Sequence, residues 1–98
     1  MSINVVRIEG GHAPVLFCDV CNLRIEAAQE GLARWNPIGP EDGVEYVHKG
    51  ACDRRSDPRR ERFWQDLDVH LVYLRDNLRL SGRAWREAER VARSIEAG

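Results

Sequence analysis

The residues best suited to chemistry are three cysteines and one histidine, arranged as two close pairs. Cys18 and Cys21 are separated by two residues, and His48 and Cys52 by three. Thiolate sulfur and imidazole nitrogen are donors that Zn²⁺ prefers, and three thiolates with one imidazole complete its tetrahedral shell. Every cysteine of the chain belongs to this set. The sequence therefore predicts a zinc site with Cys18, Cys21, His48 and Cys52 as ligands.

Other interpretations of these residues are weaker. The cysteines could be free thiols beside an unrelated histidine. If a metal binds and His48 is not a ligand, His12 of the Gly-rich turn could take its place, although a solvated turn histidine is the simpler interpretation. A thioredoxin-like redox pair needs a long helix after its Cys-x2-Cys motif, whereas a glycine and a predicted strand follow Cys21. An iron–sulfur cluster normally needs four thiolates, and the chain has three cysteines. A structural zinc site remains the favoured interpretation.

Length and composition limit the class of protein. The chain has 98 residues, enough for one domain with a small core. Its formal net charge is −1, which argues against a surface that is polyanion-binding throughout. The start of the chain does not resemble a secretory signal, and no apolar stretch approaches the roughly 20 residues of a membrane span. We expect a cytoplasmic protein, where an odd number of cysteines favours metal over disulfides.

The first half of the chain has short β-rich segments typical of strands, and residues 44–48 also alternate. A hairpin is predicted from a strand at 3–8, a turn at 9–14 and a second strand at 15–17 that leads into Cys18. A third strand is predicted at 32–35 and a fourth at 44–48, with a turn at Asp42 and Gly43 before it. The second predicted strand ends at Cys18 and the fourth ends at His48, so the strands place both ligand pairs in one small β-rich module.

The second half is predicted to be helical. Asp57 and Pro58 form a helix-start signature, and apolar residues then recur at spacings of three and four, which predicts a helix over 57–80. A second apolar stripe predicts that this helix lies between partners. After Ser81 and Gly82, a last helix is predicted over 82–97. Trp64 and Trp85 fall on apolar helix faces, so both are expected to pack in the core.

These elements predict a single α+β domain over 1–98. In it, a small β-hairpin zinc module at 1–56 packs against two C-terminal helices within 57–98.

The ligand segments also carry a resemblance to a known group. Residues 17–22, 31–35 and 46–52 resemble the treble-clef and zinc-ribbon group, and small uncharacterised bacterial proteins with an F-C-D-x-C … V-H-K-x-x-C layout. The resemblance spans roughly residues 15–80 and implies a knuckle, a hairpin and a helix around one zinc ion. That group usually has its last ligands in the first helical turn, whereas Asp57 and Pro58 predict a helix that begins five residues beyond Cys52. Because members of the group differ in function, the resemblance implies a fold and a site.

Two sets of residues are candidates for contact with a macromolecule. Arginine clusters could follow a phosphate backbone, although a solvated, salt-bridged surface is the simpler interpretation. The arginines of this set are Arg54, Arg55, Arg59, Arg60, Arg62, Arg83, Arg86, Arg90 and Arg93. A protein-binding surface could instead include Trp35, an aromatic at a strand end, with the second stripe of the long helix providing a face for self-association. The residues of this surface are Trp35, Val69, Val72 and Tyr73.

Catalysis has little support in the sequence. Neither His12 nor His70 has a candidate nucleophile beside it, and Asp66 and Asp68 point in different directions if they lie on a helix. A zinc ion with four protein ligands has no open position for a substrate. We therefore expect a small non-enzymatic zinc-binding interaction or regulatory protein, with a nucleic-acid-binding regulator as the alternative.

Overall fold

The computed structural model describes residues 3–8, 11–39 and 43–97. Within them the chain forms two antiparallel sheets of three strands each, with helices between and after the strands of the second sheet. The α+β class is therefore confirmed. The elements in chain order are β1 (Ile3–Ile8), β2 (Gly11–Phe17), β3 (Arg24–Ile25), a 3₁₀ turn (Ala28–Glu30), β4 (Gly31–Trp35), β5 (Glu45–His48), α1 (Ala51–Ser56), β6 (Phe63–Asp66), α2 (Leu67–Asn77) and α3 (Gly82–Ala97).

The first sheet has the strand order β1-β2-β3, and β1 and β2 form the predicted hairpin. Strand β2 is longer than expected, because residues 11–14 are paired with β1 and do not form a turn. Residues 9 and 10, which connect the two strands, lie outside the described part of the chain. His12 is therefore a strand residue opposite Arg7, and its side chain is exposed.

The second sheet has the order β5-β4-β6, with β4 in the centre. The predicted strands at 32–35 and 44–48 are confirmed as β4 and β5, within one residue at their starts. Asp42 of the predicted turn before β5 lies outside the described residues. Because β4 is paired on both edges, four of its five residues, from Gly31 to Arg34, are buried. This strand supplies the middle of the small core.

The predicted helix over 57–80 is wrong in its first ten residues. Asp57 follows the end of the short helix α1, and residues 63–66 form strand β6, which pairs with β4. Only Leu67–Asn77 is helical, as α2. The spacing of Trp64, Leu67 and Leu71 is compatible with a helix, but it crosses the junction between a strand and a helix.

The buried core is small and surrounds the cysteines. Cys18, Ile25, Leu32, Val47 and Leu67 form its centre, and Cys21 and Cys52 pack against it. Helix α2 lies closely on β4, since a Cβ atom on Gly31 would come 2.8 Å from Leu67 Cδ2. Glycine at position 31 thus permits this approach.

Helices α2 and α3 leave much of their apolar surface exposed. On α2, Leu67 of the first stripe is buried, whereas the second stripe, Val69, Val72 and Tyr73, is exposed. Within the described residues, α2 is therefore covered on one side only and is not sandwiched as predicted. Helix α3 has the predicted bounds of 82–97, yet all of its described side chains, from 82 to 95, are exposed. Trp64 and Trp85 are 52% and 40% exposed, which contradicts their prediction as core residues. Among the described residues, no helix has the length and apolarity to cross a bilayer.

Candidate metal centre

The first pair of cysteines lies on a tight knuckle at the end of β2. The Cys18 N–H donates to the carbonyl of Leu23 at 2.9 Å, and the Asn22 N–H donates to the carbonyl of Cys18 at 3.0 Å. Asn22 adopts a φ of 61°, a left-handed conformation that asparagine tolerates better than most residues. The turn closes so tightly that residues 18 and 21 project toward the same point.

The knuckle is fastened to β5, the strand that carries the histidine. The Asp19 N–H donates to the carbonyl of Tyr46 at 2.8 Å. In return, the Tyr46 N–H donates to Asp19 Oδ2, also at 2.8 Å. This reciprocal pair fixes the position of β5 against the knuckle, so that His48, two residues further on, reaches the sulfurs.

Cys52 lies in the first turn of α1, which begins at Ala51. Gly50 provides the sharp change of direction between β5 and α1, with φ at 81° and ψ at −117°, a conformation that is strained for residues with a side chain. The expectation that the first helix begins beyond Cys52 is therefore wrong. Asp57 and Pro58 suggest a helix start, but they follow α1 instead of beginning it. Helix α1 itself is too short and polar to show an apolar period in the sequence.

The four predicted ligands converge on one point. Their donor atoms all lie within 4.8 Å of one another, with His48 Nδ1 at 3.4 Å from Cys21 Sγ and 3.9 Å from Cys52 Sγ. Tetrahedral zinc with usual bond lengths would place such donors about 3.5–3.8 Å apart. Cys18, Cys21, His48 and Cys52 thus form a possible metal site whose donor types and spacing fit zinc.

His48 is oriented so that Nδ1 faces the sulfurs. Its other nitrogen, Nε2, lies 3.1 Å from the carbonyl oxygen of Arg24 on β3. A carbonyl can only accept, so Nε2 carries the proton and Nδ1 has a free lone pair for a metal. A histidine that binds a metal through one nitrogen commonly donates its other N–H in this way.

The surroundings of the Cys18 sulfur stabilise its thiolate form. The backbone N–H groups of Val20 and His48 both lie 3.4 Å from it. Burial alone would raise the pKa of Cys18, but hydrogen bonds from backbone N–H groups, those of Cys21, His48 and Val20, lower that pKa to about 6. This sulfur is therefore largely ionised at neutral pH before a cation arrives.

Cys52 is affected in the opposite direction. Burial, together with hydrogen bonds and charge repulsion from Cys18 and Cys21, raises the pKa of Cys52 to about 11. Three thiolates at this spacing repel one another, and a divalent cation among them would remove that repulsion. The protein thus holds the sulfurs in a cluster that is electrostatically unfavourable without a positive charge.

Beside the cluster lies a buried network of ion pairs that the sequence did not predict. Arg34, on the central strand β4, is fully buried, and its Nη1 lies 3.1 Å from Asp53 Oδ1. Its Nη2 lies 3.4 Å from Glu45 Oε1. Arg60 and Arg62 extend the network, at 3.0 Å from Asp53 and Glu45 respectively. The one signal in the sequence is a charged residue inside an otherwise apolar strand, Leu-Ala-Arg-Trp.

Asp57 connects this network to the turn that leads into β6. Its carboxylate accepts hydrogen bonds from the backbone N–H groups of Glu61 and Arg62, at 3.0 and 3.1 Å. Burial alone would raise the pKa of Asp57, but these hydrogen bonds and the nearby positive charges of Arg34 and Arg62 lower it. Asp57 is thus a turn-forming anion rather than the predicted N-cap.

The other candidate residues lie apart from the metal centre. Arg54 and Arg55 are exposed on α1, and Arg59 is exposed in the turn after it. The four arginines of α3 are all exposed, with Arg90 Nε donating to Glu87 at 3.2 Å. Trp35 is half-buried against the edge of Phe63. Val69, Val72 and Tyr73 are exposed on α2.

The two remaining histidines are not near the sulfurs. His12 is exposed on β2, in the first sheet. His70 is half-buried on α2, where its Nδ1 lies 3.0 Å from Gln65 Oε1 and its ring packs edge-on against Tyr46. Burial lowers the pKa of His70. Its hydrogen bond and ring contact give it a place in the packing of α2 on the second sheet.

In comparisons with protein-family models, curated proteins and solved structures, none was found to match this chain.

Proposed function

We propose that this chain is a small non-enzymatic protein in which one structural zinc ion braces a surface for a macromolecular partner. The observation that carries the proposal is the convergence of Cys18, Cys21, His48 and Cys52, with His48 Nδ1 turned toward the sulfurs. Bound zinc would contribute on the order of 10 kcal/mol to folding, which is comparable with the whole stability of a small domain.

The arrangement of elements supports a treble-clef-like centre. The knuckle of Cys18 and Cys21 is followed by the β4–β5 hairpin, and Cys52 occupies the first turn of the next helix. The main difference expected between this chain and that group, a helix beginning well after the last ligand, does not exist. We infer the treble-clef type from this order of knuckle, hairpin and helix.

A structural role is favoured because the protein itself supplies a full tetrahedral shell. Catalytic zinc usually has three protein ligands and a water molecule, whereas four protein ligands leave no position for one. Cys18 is completely buried and belongs to the core, so an ion held there would join the two sheets. We infer that zinc fixes the positions of β2, β5 and α1.

Substitution of cobalt for zinc tests this closed coordination. Co²⁺ bound by three thiolates and one imidazole should show intense tetrahedral visible bands and sulfur-to-metal charge transfer. These bands should not change when azide or cyanide is added, since no exchangeable position exists. A spectrum that responds to such ligands would indicate an open site and would overturn the structural role.

The surface that zinc would brace is the exposed apolar region formed by β6, α2 and α3. Its aromatic members are Phe63, Tyr73 and Trp85, which are between 40% and 59% exposed, whereas Trp64 lies on the opposite face of β6. Large aromatic side chains are enriched at protein interfaces and supply much of their binding energy. We infer that this region binds a protein.

Nucleic-acid binding is the second candidate, and the arginines of α3 favour it. Arg83, Arg86, Arg90 and Arg93 are exposed and share the side of α3 opposite its apolar residues. Such a stripe should bind DNA or RNA with an affinity that falls steeply as salt rises, and replacing Arg83 and Arg90 by Ala should weaken binding and reduce the salt slope. Absence of binding to duplex or single-stranded probes at low salt would reject this function.

A further inference from the structure

We propose that the partner of the apolar region is a second copy of this chain, with α3 of each copy packing on α2 of the other. The proposal rests on the proposed function in that it names the partner of the same surface. It commits to a symmetric dimer, in which each copy gives one helix and receives one.

Helix α3 has the composition of a packed helix but lacks a covering element within the described chain. Its apolar residues fall on one face at spacings of three and four. They are Ala84, Trp85, Ala88, Val91, Ala92 and Ile95, and all are exposed. One side-chain contact between α3 and α2 is made by Arg75, whose guanidinium lies 5.0 Å from the centre of the Trp85 ring.

The chain exposes more surface than a compact monomer of its mass, enough to supply a dimer interface. The accessible area is 7594 Å², whereas a compact monomer of 11.2 kDa would expose about 5,700 Å². The radius of gyration is 15.4 Å, compared with about 13 Å for a compact domain of this length. The excess, on the order of 1,900 Å² per chain, exceeds the roughly 800 Å² per partner that a standard stable interface buries.

The connection between α2 and α3 is a short segment closed by its own backbone hydrogen bonds. Leu80 N–H donates to the Arg75 carbonyl at 2.8 Å, and Arg79 N–H donates to the Asp76 carbonyl at 3.0 Å. Arg79 and Gly82 have φ values of 58° and 53°, so the chain turns sharply at both ends of this short segment. Val69, Val72 and Tyr73 on the outer face of α2 are exposed, so this face is accessible to a helix from another molecule.

The apolar face of α3 and the outer face of α2 have complementary shapes. Ala88 and Ala92 leave a depression of about 230 Å³ on α3, bordered by Trp85 and Glu89. On α2, Val69, Val72 and Tyr73 project from the surface, and Tyr73 is 56% exposed. Large side chains on one helix can therefore enter the depression left by small ones on the other.

The charges around the apolar face of α3 favour a protein over a membrane. Glu87 and Glu89 border that face, whereas the arginines lie on the opposite side. Basic residues on the polar face are also typical of helices that bind anionic lipid surfaces. Glu87 and Glu89, however, lie at the border of the apolar face, where they would meet anionic headgroups and be repelled. Packing against a second copy would leave Arg83, Arg86 and Arg90 in water, and the net charge of −1 gives two copies little mutual repulsion.

Mass measurements on zinc-loaded, full-length protein test this proposal. Light scattering and sedimentation should give twice 11.2 kDa for the wild type over a wide concentration range. Because Ala88 and Tyr73 are exposed within one chain, Ala88→Asp and Tyr73→Asp should each preserve folding. Each should raise the dimer dissociation constant by about 100-fold, since each buries an unpaired charge at the interface. The matched control Arg86→Asp, on the opposite side of α3, should remain dimeric.

Mixing the two variants tests the exchange of helices. A dimer of one Ala88→Asp chain and one Tyr73→Asp chain retains one unaltered contact between α3 and α2, so the mixture should recover mass that neither variant shows alone. A monomeric wild type, a dimer that survives either substitution, or a mixture that stays monomeric would overturn the proposal. Zinc content, measured on the same samples, reports separately on the metal centre.

Discussion

Arg34 Nη1 lies 3.1 Å from Asp53 Oδ1, and this buried ion pair joins the central strand of the second sheet to the residue that follows the ligand Cys52. Helix α1 has six residues, too few to be stable alone. The ion pair and the reach of Arg34 to the Asp53 carbonyl at 3.4 Å hold α1 against β4. The network thus positions Cys52, the last of the candidate metal ligands.

Removing one member of this pair should be costly. Asp53→Ala would leave the guanidinium of Arg34 buried with Glu45 as its remaining carboxylate partner. We expect the free energy of unfolding to fall by about 3–5 kcal/mol in urea denaturation of the zinc-loaded protein. Arg90→Ala removes the exposed pair with Glu87 and should leave the free energy of unfolding nearly unchanged, because water and salt screen an exposed pair. Equal losses for the two variants would contradict the role given to the buried pair.

Asp57 offers a test of the turn that replaces the predicted helix. Asp57→Ala removes the acceptor of the Glu61 and Arg62 N–H groups, and we expect a loss of about 1–3 kcal/mol of unfolding free energy. Asp57→Asn retains an oxygen acceptor and should lose less. If Asp57 capped a helix, residues 58–66 would show helical chemical shifts. The structure predicts extended shifts for 63–66, and helical ones there would contradict it.

Zinc affinity should fall as pH falls, because protons compete with zinc for the thiols of Cys18 and Cys52, whose pKa values are shifted in opposite directions. The pKa of Cys52 is raised to about 11, so its thiol is protonated across the working range and zinc must displace that proton. Affinity should therefore fall as pH falls, by about tenfold per pH unit for each displaced proton. The pKa of Cys18 is lowered to about 6, so its proton competes with zinc only below that pH, where the curve should steepen.

Titrations with a competing chelator between pH 5 and about 9 would measure this curve. Calorimetry in buffers of different ionisation enthalpy would count the protons released. An affinity that does not change with pH, or zinc binding without proton release at neutral pH, would contradict the assignment of Cys52.

The sequence was sufficient for the elements whose pattern is local. The β-rich segment at β1, the short segment before Asn36 and Pro37 at β4, the alternation in β5 and the period of α3 predict those elements correctly, and the spacing of the two ligand pairs predicts the cluster. Helix α1 shows no such period, and the strand at 63–66 shares its apolar spacing with α2. The strand β6 cannot be predicted from local pattern, because it forms by pairing with β4, some 30 residues away in the chain.

The buried network was beyond sequence reasoning for a related reason. Arg34 meets Glu45 and Asp53 at separations of 11 and 19 residues, across three elements whose packing decides which charges are buried. Trp64 and Trp85 were predicted to be buried because they lie on apolar stripes, yet both are exposed. An apolar stripe predicts that a face is covered without indicating whether the cover is in the same chain.

The most direct test of the central claim is the zinc content of purified, folded protein, measured by native mass spectrometry and elemental analysis. We predict one zinc ion per wild-type chain, its loss together with folded structure in Cys52→Ser, and full retention in His12→Ala, whose histidine lies outside the cluster. Folded wild-type protein without zinc, or Cys52→Ser that binds zinc as tightly as the wild type, would contradict the account.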